Sequence, residues 1–176
     1  MDQGKAKVSN GDYSGALIVY TKALELYPSS YFLYFIRGVT KLQLKDSRGV
    51  IIDCNKAIEL RPDFSECYLL RARAKQSLED YSGALNDYKK SIELQPECSI
   101  CYSTRAKAKF ELEDYRGAIA DFDKAIELKP DDNDAYLSRG LVKIKRGYKD
   151  EGCLDLSKAG ELGSSKAYEA IKKICN

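Results

Sequence analysis

The chain has 176 residues and a formal net charge of +2, with 29 Lys and Arg against 27 Asp and Glu. Charges of both signs interleave along it, so there is no basic field of the kind that holds nucleic acid, and no stretch approaches the roughly 18 apolar residues of a membrane span. It contains no histidine, which removes Ser-His and Cys-His nucleophile pairs and every histidine metal ligand.

Along the chain, Pro28, Pro62, Pro96 and Pro130 are the only prolines, and each follows the last by 34 residues. A fixed period of this size marks a repeat array in which each unit buries its face only against its neighbours. Helical spacing of apolar residues runs from about residue 13 to 174, and no alternation that would make a strand persists. Asp12, Asp46, Asp80 and Asp114 stand where a second helix of each unit begins, as acceptors for free N–H groups and as charges suited to the helix dipole. Leu26, Leu60, Leu94 and Leu128 precede the prolines that stop those helices, because a ring nitrogen offers no donor to continue them. Small residues fill three columns: Ala16, Val50, Ala84, Ala118 and Gly152; Ala23, Ala57, Ser91, Ala125 and Ala159; Gly4, Gly38, Ala72, Ala106 and Gly140. Such columns mark helices that cross closely. Tyr34, Tyr68, Tyr102 and Tyr136 form a large column that complements them.

The pattern of an aromatic, three residues and Gly or Ala, then Asp-Tyr-x-Gly-Ala and Lys-Ala-Ile-Glu-Leu-x-Pro, resembles the tetratricopeptide-repeat (TPR) family over essentially the whole chain. The resemblance implies an all-α, right-handed α-solenoid of helix-turn-helix 34-residue repeats. It implies a single array over 1–176: a first repeat at 1–30 lacking the start of its first helix, complete repeats at 31–64, 65–98, 99–132 and 133–166, and a capping helix at 167–176. The fifth repeat departs from the pattern, with Ser164 at the proline place and Gly160 in the apolar column. The short first repeat suggests that further residues preceded it in a parent protein, and terminal units of arrays are commonly atypical.

Charged residues that recur in every repeat read as a solvated helix face. One set differs. Arg37, Arg71, Arg105 and Arg139 occupy a place that common TPR sequences give to leucine, with Lys41, Lys75, Lys109 and Lys143 one turn later. Asp53, Asp87, Asp121 and Asp155 recur with them on the second helices. They are expected to form partly buried structural ion pairs between the two helices of each repeat, the other reading being a basic ligand-binding ridge. Cys98 and Cys101 form a C-x-x-C at a helix start, a place that lowers a thiol pKa, but without the βαβ pattern of thiol oxidoreductases or a second C-x-x-C to complete a zinc site. Cys153 and Cys175 flank the turn at Gly163 at about equal distance, and antiparallel helices there would let them form a disulfide in an oxidising compartment.

Function must then come from surfaces. The resemblance implies that first helices line a concave groove that receives a peptide or helix of a protein partner. The family's carboxylate clamp for chaperone tails is absent: its places hold Phe35, Val39, Leu70, Ile100 and Thr104 in one window, and Leu69, Arg73, Thr104, Asp134 and Ser138 in the next. None of the first set grips a carboxylate as a cation would. The groove is expected to carry Phe32, Phe35, Ile36, Val39, Leu69, Leu70, Ile100 and Leu137, with Arg73 and Glu66 at its rim. The run Tyr31-Phe32-Leu33-Tyr34-Phe35-Ile36 is apolar all round and needs cover on every face. Either the absent part of the first repeat covers it or it leaves an exposed patch that marks a binding site. The expectation is a non-enzymatic scaffold, without cofactor or metal, that binds a hydrophobic or amphipathic segment of a protein. The alternative is self-association, as a homodimer or within a larger chain, through the same surface; thiol redox sensing at Cys98 and Cys101 is a third. No leader sequence begins the chain, so a cytoplasmic protein is expected, or an exported or periplasmic one if a leader was removed upstream.

Overall fold

The computed structural model describes residues 2–175, and all the regular structure among them is helical. The chain divides into two compact units, Met1–Leu94 and Gln95–Asn176. The first contains α1 (Asp2–Ser9), α2 (Tyr13–Leu26), α3 (Tyr31–Gln43), α4 (Ser47–Leu60), α5 (Ser65–Ser77) and α6 (Tyr81–Leu94). The second contains α7 (Ser99–Glu111), α8 (Tyr115–Leu128), α9 (Asn133–Lys145), α10 (Lys149–Glu161) and α11 (Ser165–Ile174). Within each unit successive helices pack as neighbours, and first helices of adjacent repeats also meet, α3 on α5 and α7 on α9.

One aspartate organises the turn between paired helices in four of the five helix pairs. The Asp46 backbone N–H closes α3 by donating to Lys41 O at 3.0 Å, while its carboxylate accepts from Gly49 N at 2.9 Å and caps α4. Asp12, Asp80 and Asp114 do the same at their own turns. The residue before each is left-handed: Gly11, Lys45, Glu79 and Glu113, with Gly147 at the matching place before Tyr148. The closing bond from the next N–H to the carbonyl five residues back is the Schellman geometry, which needs that left-handed residue. The glycine three residues after each aspartate leaves room for its carboxylate, since a Cβ on Gly49 would lie 2.0 Å from Asp46 Oδ2.

The cores follow the sequence columns. In the N-terminal unit Ala16, Tyr20, Leu24 and Leu33 form one buried cluster, and Val50, Cys54, Ala57, Cys67, Leu70 and Ala74 another. In the C-terminal unit Ala106, Ala118, Phe122, Ile126, Ala135 and Val142 form one, and Leu137, Leu156, Ala159 and Ala167 another. The last helix starts at Ser165, two residues ahead of the 34-residue period. This puts Ala167 third in its helix and buried, in the place held by Leu33, Cys67, Cys101 and Ala135. Tyr168 then falls in the tyrosine column, and its hydroxyl donates to Gly160 O at 3.1 Å. Gly160, a departure from the apolar column, accommodates that ring, which lies 3.3 Å from where a Cβ would be.

Candidate functional site

The apolar helix α3 finds its cover on two sides. Leu33 and Ile36 pack into the cluster around Tyr20, while Tyr31, Tyr34, Phe35 and Leu42 pack on the cluster around Cys54 and Cys67. What remains outward is Phe32, 38% exposed, and Val39, 36% exposed. Phe32 touches Phe35 with ring centroids 6.3 Å apart, and Phe35 meets Phe64 edge-on at 5.0 Å. On α5, Leu69 is half-buried and Arg73 exposed. Leu70 is 5% exposed and belongs to the core, so it is not available as a groove residue. In the C-terminal unit Ile100 is 52% exposed on α7, whereas Leu137, also expected in the groove, is buried against Leu156 and Ala159. The expected surface thus narrows to Phe32, Phe35, Ile36, Val39, Leu69 and Arg73 in one unit and Ile100 in the other.

Sequence reasoning passed over Arg61 and Phe64. Phe64 stands immediately before α5, where other first helices are preceded by Ser30, Cys98 and Asp132, which cap by side-chain acceptors. Freed from capping, Phe64 joins Tyr31 and Phe35, and the Arg61 guanidinium lies over the Tyr31 ring at 4.8 Å and the Phe64 ring at 5.6 Å. The signal was present in that one aromatic in a column of short polar residues.

The cations expected in pairs are engaged. Arg37 donates from Nε and Nη2 to the two oxygens of Asp53, at 2.9 and 2.5 Å. Arg71 meets Asp87 at 2.9 and 2.6 Å, Arg105 meets Asp121 at 2.7 Å twice, and Arg139 meets Asp155 at 2.8 and 2.6 Å. Lys41, Lys75, Lys109 and Lys143 lie 2.7 to 3.0 Å from the same carboxylates. Each guanidinium also sits over its repeat's tyrosine, and three reach back 16 residues to Thr21, Asn55 and Asp123. Hydrogen bonding to the aspartate holds Arg37, Arg71 and Arg105 above the usual value; at Arg139 burial pulls down, and Asp155 and Asp123 outweigh it. A planar fork matched to both carboxylate oxygens and a ring under it leave these arginines little to offer a ligand as an open ridge.

Cys153 and Cys175 are joined as a disulfide that ties α10 to the end of α11, with Cα atoms 5.9 Å apart. Cys98 and Cys101 are also joined, and Cys98 Sγ accepts from Cys101 N at 3.2 Å at the start of α7. Cys54 and Cys67 are free thiols in the N-terminal core. Hydrogen bonding with Cys67 and burial push the Cys54 thiol far up. Among the described residues, no cluster of three potential ligands could hold a metal ion, and no helix is long and apolar enough to cross a membrane.

Residues 65–98 match a family model described as tetratricopeptide repeat, and residues 106–147 one described as TPR repeat. No curated protein matches the sequence. Among solved structures, a crystal structure of MamA is similar at 26% identity, over 96% of this chain and 98% of that one, with a TM-score of 0.85. MamA from Desulfovibrio magneticus RS-1 is similar at 16% identity, over 92% and 91% of the two chains, with a TM-score of 0.85. YrrB, described as a TPR protein with an unusual peptide-binding site, is similar at 18% identity, over 98% and 90%, with a TM-score of 0.79. The last two likenesses bear on the fold alone.

Proposed function

Because the chain belongs to the tetratricopeptide-repeat family, we propose that it is a non-enzymatic scaffold whose first helices bind a hydrophobic or amphipathic segment of a partner protein, with residues 1–176 working as one array. The observation that carries this reading is the outward pair Phe32 and Val39 on α3, two turns apart on a helix whose other sides are already covered. Apolar anchors at that spacing suit a helix laid along them, with Arg73 and Glu66 as polar rim. The peptide-binding site described for YrrB, which shares the fold, is consistent with such a use.

Selection from a displayed random-peptide library tests it. Peptides with apolar residues three and four apart should enrich on the native chain, and Phe32→Glu with Val39→Glu should weaken the best of them at least about tenfold. Enrichment of peptides that bind the doubly substituted chain equally well would remove the groove reading. Light scattering over a concentration series separates the alternative: a dimer split by the same substitutions means that the surface serves self-association.

A further inference from the structure

The two disulfides of the C-terminal unit do different things to the chain. Cys98 is the residue before α7 and Cys101 lies in the first turn of that helix, so their bond joins no two elements. Cys153 lies within α10 and Cys175 follows the last residue of α11, so theirs ties one helix to another. We propose that Cys98 and Cys101 form a reversible thiol–disulfide exchange site for a low-molecular-weight thiol, with Cys98 as the sulfur attacked and Cys101 as the one that closes the pair again. Such exchange is independent of any segment bound along the first helices.

The repeat itself says what each of these places accepts. One period after Cys98 stands Asp132, a full negative charge that accepts from Ala135 N at 3.2 Å, and two periods before it Ser30 accepts from Leu33 N at 3.3 Å. Cys98 Sγ accepts from Cys101 N at 3.2 Å in the same bond. That bond, at the positive end of a 13-residue helix, favours a thiolate on Cys98 once the disulfide opens. Glu97 beside it is exposed, so water and salt screen its charge. The reduced pair therefore keeps the cap of α7 and unties nothing, whereas opening Cys153–Cys175 frees the end of α11 from α10. A disulfide whose reduced form is stabilised is the more readily reduced one. The column of Cys101 holds Leu33, Cys67 and Ala135, all buried, and Cys67, with Phe64 rather than a cysteine three residues before it, stays a thiol. Cys101 is 1% exposed and Cys98 8%, behind a turn whose residues Gln95, Pro96 and Glu97 are exposed. So narrow an opening, at Cys98 alone, suits a slim thiol. The thiolate of that molecule attacks Cys98 Sγ; the Cys98–Cys101 bond breaks, and its electron pair leaves on Cys101, which takes up a proton. A second small thiolate attacks the small-molecule sulfur of the mixed disulfide and releases Cys98 as a thiolate. Two cysteines are reduced while two small thiols become one disulfide, and the same steps in reverse close the pair.

Glutathione is the probe. Cys101→Ala and Cys98→Ser each take the residue that another repeat has in that column, at Ala135 and Ser30, and circular dichroism establishes that both chains fold. With oxidised glutathione, Cys98 of the Cys101→Ala chain should form a mixed disulfide at least about tenfold faster than Cys101 of the Cys98→Ser chain, as read by mass mapping of the peptides. In the native chain, a rising ratio of reduced to oxidised glutathione should open Cys98–Cys101 at a ratio at least about tenfold lower than Cys153–Cys175 requires, with hydrogen exchange in the first turn of α7 unchanged. Equal rates in the two variants overturn the proposal, and so does a faster Cys101. A native chain in which Cys153–Cys175 opens first, or in which α7 loses protection as Cys98–Cys101 opens, overturns it too, because that bond would then be a tie within the fold. The native titration decides the matter if either variant fails to fold.

Discussion

The two compact units are built from the same repeat and finished differently. Both carry the Arg–Asp–Lys set beneath a tyrosine, at Asp53 and Asp87 in one and at Asp121 and Asp155 in the other. The N-terminal unit adds an aromatic cluster around Phe64, two free buried thiols and the outward pair Phe32 and Val39. The C-terminal unit adds two disulfides and a last helix whose outward residues are Ser165, Lys166, Glu169, Lys172 and Lys173 together with the half-exposed ring of Tyr168. What the units share makes a repeat fold; where they differ, one unit is cross-linked by disulfides and the other keeps its buried cysteines as thiols.

The shared part should fail with the largest effect. Asp53→Ala strands Arg37 and Lys41 together in a place where the carboxylate is fully buried, and such an uncompensated pair costs about 3–5 kcal/mol. Arg37→Leu should cost less, because Asp53 keeps Lys41, and replacing Arg37, Lys41 and Asp53 all by Leu should regain much of the loss. Asp155→Ala should cost as much in the other unit. Urea denaturation followed by circular dichroism measures all four; equal costs for Asp53→Ala and Arg37→Leu would mean that the carboxylate is not the hub.

The unshared part comes next. A reductant should open the 22-residue loop between Cys153 and Cys175 and lower the stability of the C-terminal unit by about 3 kcal/mol. Hydrogen exchange should then speed up in α11 and leave α1 to α6 unchanged. Cys153→Ser should reproduce the change in α11 without reductant and with Cys98–Cys101 still joined, and exchange that rises equally in both units would dissolve the contrast drawn between them.

Glycine at one crossing sharpens it further. A Cβ on Gly140 would lie 2.8 Å from the Gly152 carbonyl oxygen, which is backbone, and 3.1 Å from Asp155 Cβ. At the matching place in the N-terminal unit, a Cβ on Gly38 would press on nothing closer than the end of Leu70 at 3.3 Å, with Asp53 Cβ and Cys54 Sγ at ordinary contact distances of 3.6 and 3.9 Å. Gly140→Ala should therefore cost about 2 kcal/mol, as overpacking does, and Gly38→Ala a small fraction of that, in thermal melts of the two variants. Ala72 and Ala106 occupy the same column opposite Ala84 and Ala118 rather than a glycine.

Alkaline pH distinguishes the units by their sulfur. Cys54 has its folded pKa raised by hydrogen bonding with Cys67 and by burial. The folded unit keeps this proton while the unfolded chain releases it above about pH 8.5. The associated stability is therefore complete below that pH and falls above it, by about 1.4 kcal/mol at one pH unit higher. The four cysteines of the C-terminal unit are in disulfides and do not titrate. Urea midpoints at pH 7.5 and 9.5, for the native chain and for Cys54→Ala, check this; an unchanged pH slope in Cys54→Ala would assign the loss elsewhere.

The fold was legible because its determinants are local and repeated. Each Asp-x-x-Gly and each proline states a helix boundary in the sequence, and the Arg and Asp columns are 16 residues apart in every repeat. The disulfide partners Cys153 and Cys175 could be paired by counting from the turn at Gly163. What the sequence left open depends on where a side chain goes within a shared column. Leu70 shares a column with Ile36 and Thr104, and Leu137 shares one with Phe35, Leu69 and Ser103, and only the packing around them decides that Leu70 and Leu137 are buried. The two-residue shift at Ser165 also escaped the period, because Ala167 and Tyr168 fit the column of Leu33, Cys67, Cys101 and Ala135 and the tyrosine column only once Ser164 is taken as the residue before the helix.

The left-handed turns carry the smallest difference. Gly11 and Gly147 fill two of the five equivalent places with φ of 75° and 97°, whereas Lys45, Glu79 and Glu113 hold φ of 59 to 62°. A side chain there costs roughly 1–2 kcal/mol of steric strain, and glycine in its place loses about 0.5–1 kcal/mol more conformational entropy on folding. The two terms oppose, so Glu79→Gly should stabilise the N-terminal unit by no more than about 1 kcal/mol. Gly147→Ala should destabilise the C-terminal unit by a similar amount, although nothing lies within 4 Å of the Cβ it would add. The pair of opposite signs separates backbone conformation from packing, because neither substitution gains or loses a core contact. If both variants melted at the native temperature, the Schellman bond from Asp80 N to Lys75 O, 3.0 Å long, would have to compensate the strain fully at the non-glycine turn.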